Sequence, residues 1–543
     1  MSKNTEKDKH YIYLATTIIK YSITIVVLLI ASKPFNTLRH NWYLIIGLIE
    51  LLMVIVLSNI ILKIQIFGWL ANSILILLFN IQIFFLIFSH SYLILLFLEN
   101  IDSLNGLSGR AVFYILTAII VLIISFLPTK KFNIPVWVSI SCFVCLLMMN
   151  LYCNRVTDGL YSPFLAYKRL YSQYNSEKTI KKKIENLETN IAEFYKDSIP
   201  NYRDKDSTLV AQPNVILIFT EGVSQHIVED ERIIMPNVKA YENISLNFIN
   251  YYNQTAATYR GLSGQLYSGF QFQNYDINKL ISLQEIMKNE GYQTIFINAE
   301  PNNSLFTKFL KDMRFDNLIN TSKYDYSGYS NSLSDKEIYQ LLYDTIEERK
   351  NDDMPFFCVL YTYGSHVSLD SIDEKYGDGA NPELNKFYDA DFQFGEFMEK
   401  FNKSDCSNDT VIIYTADHCT YYDDAFAKTF PNIQRTGLFC DRIPFFIYYK
   451  GIIPETVDAK SKTSVDLAPT VLDYFDITSK NYFLGNSLFN QDNDNSTFFE
   501  HYYIGTGGNY YSISNGIITE PDAIESRIIT EQLEKYFALK LSN

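Results

Sequence analysis

Beyond residue 200 the chain has no stripe of lysine and arginine, and 46 basic against 60 acidic residues give a formal charge of −14. Phosphate backbones are bound by clustered cations, so nucleic acid is excluded as a partner. The sequence also has no glycine-rich P-loop, no zinc-finger spacing and no internal repeat. Nucleotide hydrolysis on a P-loop, finger modules and solenoids therefore drop out. Cysteine is sparse. Three of the seven (Cys142, Cys145, Cys153) lie in or beside an apolar run. The remaining Cys358, Cys406, Cys419 and Cys440 would suffice for two disulfides in an exported domain, with the pairing left open. Long apolar runs are missing after Asn154, where charge, Asn, Tyr and Asp mix as in a soluble globule. That last absence divides the chain into a membrane part and a soluble part.

Five apolar segments precede the division, at residues 12–32, 42–62, 70–98, 111–127 and 134–152. Most reach the roughly 20 residues needed to cross about 30 Å of hydrocarbon. No small-residue cleavage pattern comes after the first, which is read as a retained span rather than a signal peptide. Lys20 and Glu50 fall inside the first two runs. A charge in lipid costs at least about 2.5–3.5 kcal/mol, so a Lys20–Glu50 contact or a polar cavity is expected, with Lys20 snorkelling to the cytoplasmic face as the alternative. Lys3, Lys7 and Lys9 flank the first segment and Lys130-Lys131 separate the fourth from the fifth, against Lys33 and Arg39 in the predicted outer loop. The positive-inside rule then puts the N-terminus in the cytoplasm, and an odd number of spans exports the C-terminal domain. Trp42, Trp69 and Trp137 sit near span ends, where indole prefers the interface. Between Tyr161 and Ser198, Leu170, Tyr174, Ile180, Ile184, Leu187 and Ile191 recur every three to four residues among Lys and Glu. This is the pattern of an amphipathic helix. The expected organisation is a transmembrane domain over 1–153, a connecting helix or linker over 154–212 and a catalytic domain over 213–543.

The soluble part opens on Asn214–Thr220, an uncharged β-branched and aromatic run that ends at Glu221. It reads as a strand buried on both faces with a carboxylate at its C-terminal edge, the edge at which open α/β sheets bind ligands. Thr410–Ala416 has the same form and ends in Asp417-His418. Further strands are predicted at 292–298, 355–362 and 444–449, with helical patterns at 281–290, 335–349 and 386–402. The fold class is α/β, a sandwich with a mostly parallel central sheet. Glu221, Asp417 and His418 at one rim would offer hard oxygen and borderline nitrogen ligands to a divalent metal.

Between them lies a segment from Asn253 to Gly269 that reads as a loop entering a short helix. Gly261 and Gly264 each cost a helix interior about 1 kcal/mol relative to Ala, which a close approach by another backbone would explain. The free N–H groups of its first turn form a phosphate cradle, with Thr258 as the hydroxyl pointing into it and Thr255 in reserve. The plainer reading makes either threonine an N-cap. His366, just past the strand at 355–362, is placed to contact a bound anion.

Taken in order, five apolar segments, a connecting helix, Asn214–Glu221, the Thr258 segment, Gly364-Ser365-His366, Asp417-His418, Val465-Asp466-Leu467-Ala468-Pro469-Thr470 and Gly485-Asn486-Ser487-Leu488 make a recognisable series. It resembles the alkaline phosphatase and sulfatase superfamily, in particular its membrane-anchored lipoteichoic acid synthases, phosphoglycerol transferases and phosphoethanolamine transferases. The resemblance implies that Glu221, Thr258, Asp417 and His418 bind Zn²⁺ or Mn²⁺ and that Thr258 is the nucleophile. It also implies that His366 binds phosphate or moves a proton, with Arg260 and Gln265 as further substrate contacts. The implied reaction transfers phosphoglycerol or phosphoethanolamine from a membrane phospholipid to a cell-envelope glycan, by a monomer in the bacterial cytoplasmic membrane whose catalytic domain faces outward. A hydrolase releasing its product to water and an inactive membrane-bound sensor are the alternatives.

Three departures bear on the chemistry. Thr258-Tyr259-Arg260 lacks the Cys or Ser followed by Pro and Arg from which sulfatases make formylglycine, so sulfate ester hydrolysis is disfavoured. Gly222-Val223-Ser224 and Cys419-Thr420 stand where phosphoethanolamine transferases carry Thr-Arg and Gly-Glu, and no cysteines bracket Thr258. No histidine lies between 419 and 500, where some members use a second one.

Overall fold

The computed structural model describes residues 2–542 except 34–36, 90, 96–97, 99–110, 188–190, 274–275, 321–328, 330–331, 368, 436, 438, 493–496 and 506–507. The chain clusters into two compact units, residues 1–104 with 109–179, and a second unit that holds 180–543.

The first unit is helical: α1 (Ser2–Ser32), α2 (Thr37–Ile61), α3 (Gln65–Ser89), α4 (Ala111–Ser125), α5 (Val136–Val156) and α6 (Pro163–Glu185), the last running on into the second unit. Four stretches are long and apolar enough to cross a membrane: Tyr11–Ser32, His40–Ile64, Ile66–Phe88 and Val136–Val156. The apolar segment at 111–127 is expressed as α4, whose 15 residues extend only about 22 Å at 1.5 Å per residue. It is shorter than the other four and than the roughly 20 residues of a full span. The third apolar segment runs to 98 in the sequence; α3 stops at Ser89, and residues 96–97 lie outside the described residues.

Lys20 and Glu50 do not meet. Lys20 is fully buried, and its Nζ donates to Asn72 Oδ1 at 2.6 Å and Thr129 Oγ1 at 3.1 Å. Asn72 in turn donates to Tyr21 Oη and Ser58 Oγ, both at 2.8 Å. Glu50 accepts from Ser162 Oγ, from the Phe164 N–H at 3.2 Å and from Asn150 Nδ2 at 3.4 Å. Each charge has a polar nest of its own, which corrects both the direct contact and the snorkelling lysine. An ion in an apolar bundle is tolerated when local dipoles satisfy it, whether or not a counter-ion is present.

In the second unit eight strands form one sheet: β1 (Asn214–Thr220), β2 (Leu246–Ile249), β3 (Gln293–Ile297), β4 (Asn317–Ile319), β5 (Phe356–Tyr361), β6 (Thr410–Ala416), β7 (Phe445–Tyr448) and β8 (Glu455–Asp458). Their order is β4-β3-β5-β1-β6-β7-β2-β8, with only the β6–β7 and β7–β2 pairs antiparallel. Residues 215–219, 356–361 and 410–416 are buried throughout, as strands covered on both faces must be. A second sheet of β9 (Tyr502–Ile504), β10 (Tyr510–Ser514) and β11 (Ile517–Thr519) has no counterpart among the predicted strands, nor have β2, β4 and β8. Helices α7 (Thr258–Leu266), α8 (Asp335–Glu348), α9 (Pro382–Lys403) and α10 (Ala523–Ser542) belong to this unit.

All seven cysteines are free thiols. Cys358 lies within central strand β5 and Cys406 in a turn preceding β6, so the two expected disulfides are not formed.

Candidate active site

Parallel register assembles the site. β1 lies between β5 and β6, with Phe219 opposite Tyr361 and Thr220 opposite Ala416. The residues next in sequence, Glu221 and Asp417, therefore leave neighbouring strands at the same edge. The ladder continues one step beyond the strands: Asp417 N–H donates to Thr220 O at 3.2 Å and Thr362 N–H to Phe219 O at 3.0 Å. Thr362 Oγ1 accepts from the Glu221 N–H, and Ser365 Oγ donates to Glu221 O. On the other side, Gly222 N–H and His418 N–H both donate to Asp417 Oδ1, at 2.8 and 2.7 Å.

Among the described residues, one group of His, Cys, Asp and Glu side chains is spaced to hold a metal: Glu221, Asp417 and His418, with ligand atoms within 4.8 Å of one another. All three are at most 1 % exposed. His418 Nδ1 faces Cys419 O at 2.7 Å, which fixes the proton on that nitrogen and turns Nε2 to the carboxylates. Nε2 lies 3.4 Å from Glu221 Oε1 and 3.5 Å from Asp417 Oδ2. Ligands about 2.0–2.1 Å from a tetrahedral zinc are about 3.3 Å apart, so this spacing fits an ion between them. Asp417 Oδ2 and His418 Nε2 are buried with no hydrogen-bond partner, the state expected of atoms reserved for a ligand. Burial and the Glu221 charge together push the Asp417 carboxyl up to about 8. Burial opposes charge on His418, but Asp417 and Glu221 outweigh it and raise the imidazole to about 9. Two carboxylates this close compete for a cation, and a divalent ion would replace the proton.

Thr258 is the first residue of α7, and its Oγ1 donates to Glu221 Oε2 at 3.0 Å. Unlike the three acidic and imidazole groups it is only half-buried, so its hydroxyl can be approached. The N-cap residue of α7, Ala257, supplies no side-chain cap. The preceding Ala257 holds φ 75° and ψ 138°, a conformation that strains any residue with a Cβ by about 1–3 kcal/mol. Gly261 packs on the carbonyl of Asp417, where a Cβ would collide. That contact is the close backbone approach its position in a helix requires. Thr255, the reserve, is buried and donates to Ile504 O at 2.8 Å, a structural bond away from Glu221.

His366 is half-buried and stacked on Tyr363, with ring centroids 5.0 Å apart and planes 22° off parallel. Its Nδ1 lies 3.1 Å from Val367 O. Burial lowers its pKa, with the Glu221 charge opposing. Gln265 and Arg260 are placed otherwise than expected of substrate contacts. Gln265 is fully buried and donates to the Ala416 and Asp417 carbonyls at 2.9 and 3.1 Å, tying α7 to the end of β6. Arg260 is buried, with Nη2 3.3 Å from Phe272 O.

Several site residues carry no signal in the sequence. Tyr361 Oη donates to Glu221 Oε2 at 3.0 Å and lies 3.5 Å from Glu300 Oε1. Glu300 is buried beside it, and burial lifts its carboxyl to about 7. A small cavity at this cluster is walled by Thr420, Tyr421, Asp423, Glu383 and Lys386 as well as Glu221 and His418. A tyrosine ending an apolar strand is unremarkable by pattern, and the residues on α9 belong to a helix about 160 positions from Glu221.

Residues 213–477 match the sulfatase family model, which makes that segment of the C-terminal unit a sulfatase-superfamily domain. The chain is 22 % identical over 364 residues to lipoteichoic acid synthase 2 of Bacillus subtilis (strain 168), covering 59 % of this chain and 55 % of that one. It thus spans little more than half the length of that relative. The structure of lipoteichoic acid synthase LtaP from Listeria monocytogenes superposes with a TM-score of 0.50 and 17 % identity, over 68 % of this chain and 98 % of that one. The integral membrane lipooligosaccharide phosphoethanolamine transferase A (EptA) from Neisseria meningitidis gives 0.51 at 13 % identity, covering 86 % of this chain and 96 % of that one. At such identities the likeness is one of fold.

Proposed function

We propose that this protein is a membrane-anchored, metal-dependent phosphotransferase that moves phosphoglycerol or phosphoethanolamine from a phospholipid to a cell-envelope glycan or lipid-glycan through a phosphothreonine at Thr258. The observation that carries the reading is Thr258 Oγ1, half-buried, 3.0 Å from a carboxylate that also belongs to the metal-spaced group. Glu221, Asp417 and His418 would hold a Zn²⁺ or Mn²⁺ ion, with Thr258 joining them. Such an ion lowers the pKa of a hydroxyl and offsets charge on phosphoryl oxygens.

In the first half-reaction Thr258 Oγ forms a bond to phosphorus, the bond from phosphorus to the diacylglycerol oxygen breaks, and that oxygen leaves with a proton. Glu221 aligns the hydroxyl, the first-turn N–H groups of α7 face the anion, and His366 supplies or accepts the proton. In the second, a glycan hydroxyl attacks the phosphothreonine, gives up its proton and releases Thr258. Four helices long and apolar enough to span a bilayer suit a donor that is itself a lipid. The reading carries the topology with it: an outward-facing catalytic domain reached through an odd number of spans, with α4 as the short one, in the bacterial cytoplasmic membrane.

Incubation with a head-group-labelled phospholipid tests this. Thr258→Ala is expected to cut transfer by a factor on the order of 10³ or more with the fold intact. The intact protein should carry an adduct on the peptide containing Thr258 whose mass distinguishes glycerol from ethanolamine. Full turnover by the variant removes Thr258 as nucleophile, and label appearing only in solution, never on glycan, replaces the transferase by a hydrolase.

A further inference from the structure

The cavity beside the metal ligands has a surplus of negative charge. Glu221, Glu383 and Asp423 line it, and Asp417 lies beside Glu221. Lys386 is the one lysine or arginine among the described lining residues. It stands in the second turn of α9, near a helix N-terminus whose partial positive charge disfavours a cation. Its side chain is 2 % exposed, with Nζ 2.7 Å from Glu383 Oε2, one turn earlier. Nζ also lies over the ring of Phe387, 5.1 Å from its centroid. Burial and helix position disfavour a lysine here, while the carboxylates around it and the face of Phe387 favour its charge. An ammonium also has three donors, of which Glu383 engages one face.

We propose that Lys386 is a phosphate-binding residue: held by Glu383, its ammonium contacts an anionic oxygen of the phosphoryl group in this cavity, opposite the metal ligands. This rests on the phosphoryl chemistry of the proposed function and adds a contact from α9, an element no sequence motif implicated. The reason is electrostatic. A phosphodiester entering a pocket walled by three carboxylates needs more than one cation to balance it, and a point charge on a flexible stem suits a group that changes shape during transfer.

The test uses the full chain in detergent, loaded with Mn²⁺, and inorganic phosphate as the probe. Phosphate affinity is measured by calorimetry, and Mn²⁺ affinity separately by its electron spin resonance. Lys386→Met is expected to weaken phosphate binding roughly tenfold or more while leaving Mn²⁺ affinity within about twofold, and Lys386→Arg to recover part of the loss. Should Lys386→Met not fold, Glu383→Gln with Lys386→Met removes the pair without leaving an unpaired charge, and the same loss is expected. Wild-type phosphate affinity in either folded variant, or a matching loss of Mn²⁺ affinity, overturns the assignment. If the wild type transfers no head group yet the phosphate loss is found, the transferase reading fails and the role of Lys386 stands.

Discussion

Asp417 Oδ2 and His418 Nε2 face each other across a gap with no donor between them, and Glu221 closes the third side. Around this gap the supporting bonds are short and buried: two N–H groups on Asp417 Oδ1, Cys419 O on the imidazole, Tyr361 Oη on Glu221 Oε2. Such partners orient ligands and tune their basicity, and losing one typically costs about 10–100-fold in metal affinity or activity. Tyr361→Phe removes a single hydroxyl from a buried strand end. We expect Zn²⁺ or Mn²⁺ affinity to fall within that range, and an unchanged dissociation constant would show that the hydroxyl does not position Glu221. At this scale the sequence disclosed Glu221, Asp417 and His418, because they stand where uncharged runs end. It disclosed neither Tyr361 nor the inward roles of Gln265 and Arg260, whose directions are set by packing.

At the scale of elements, the loop carrying Ser365 and His366 is held from below by α8. Asp335, the first residue of that helix, is buried and accepts from Gly364 N–H at 2.8 Å and Tyr363 N–H at 3.3 Å. Its Oδ2 has no hydrogen-bond partner, and a Cβ on Gly364 would strike the carboxyl. Burial, reinforced by the Asp389 charge, raises Asp335 from 3.8 to about 7. Between those values the folded protein holds a proton that the unfolded chain releases. Stability from this group therefore falls as pH rises through the window, on the order of 1 kcal/mol per unit. Asp335→Asn keeps an acceptor for the two N–H groups and cannot titrate. Its melting temperature relative to wild type should be more favourable at pH 8 than at pH 5. An equal difference at both pH values would mean that Asp335 does not titrate in this range. Elements were read well where their period was strong: β1, β5 and β6 agree with prediction to within a residue or so, and α8 and α9 match the patterns at 335–349 and 386–402. Short strands such as β4 and β8, half-buried or exposed, have too few apolar positions to show one.

At the scale of the whole molecule, a buried cluster of two carboxylates and an imidazole favours the folded state most when a cation fills it. A ligand at about 100 times its dissociation constant stabilises the native protein by about 2.7 kcal/mol. Chelation is thus expected to lower the melting temperature of the C-terminal unit by several degrees, with recovery on adding Zn²⁺ or Mn²⁺, and no shift would leave the cluster without a metal to hold. By itself the sequence determined that the long apolar runs end by about Asn154, the α/β class, the buried central strands and which residues stand at their ends. Those come from local chemistry: apolar runs must be covered, and a charge can interrupt them only at an edge. The tertiary structure decided what the edge does. Parallel register of β5, β1 and β6 set Glu221 beside Asp417, close packing of Gly261 on a carbonyl brought Thr258 to Glu221, and α9 carried Lys386 to the same cavity. It also gave Lys20 and Glu50 separate partners, because which helices face each other depends on packing between distant segments and not on the composition of either.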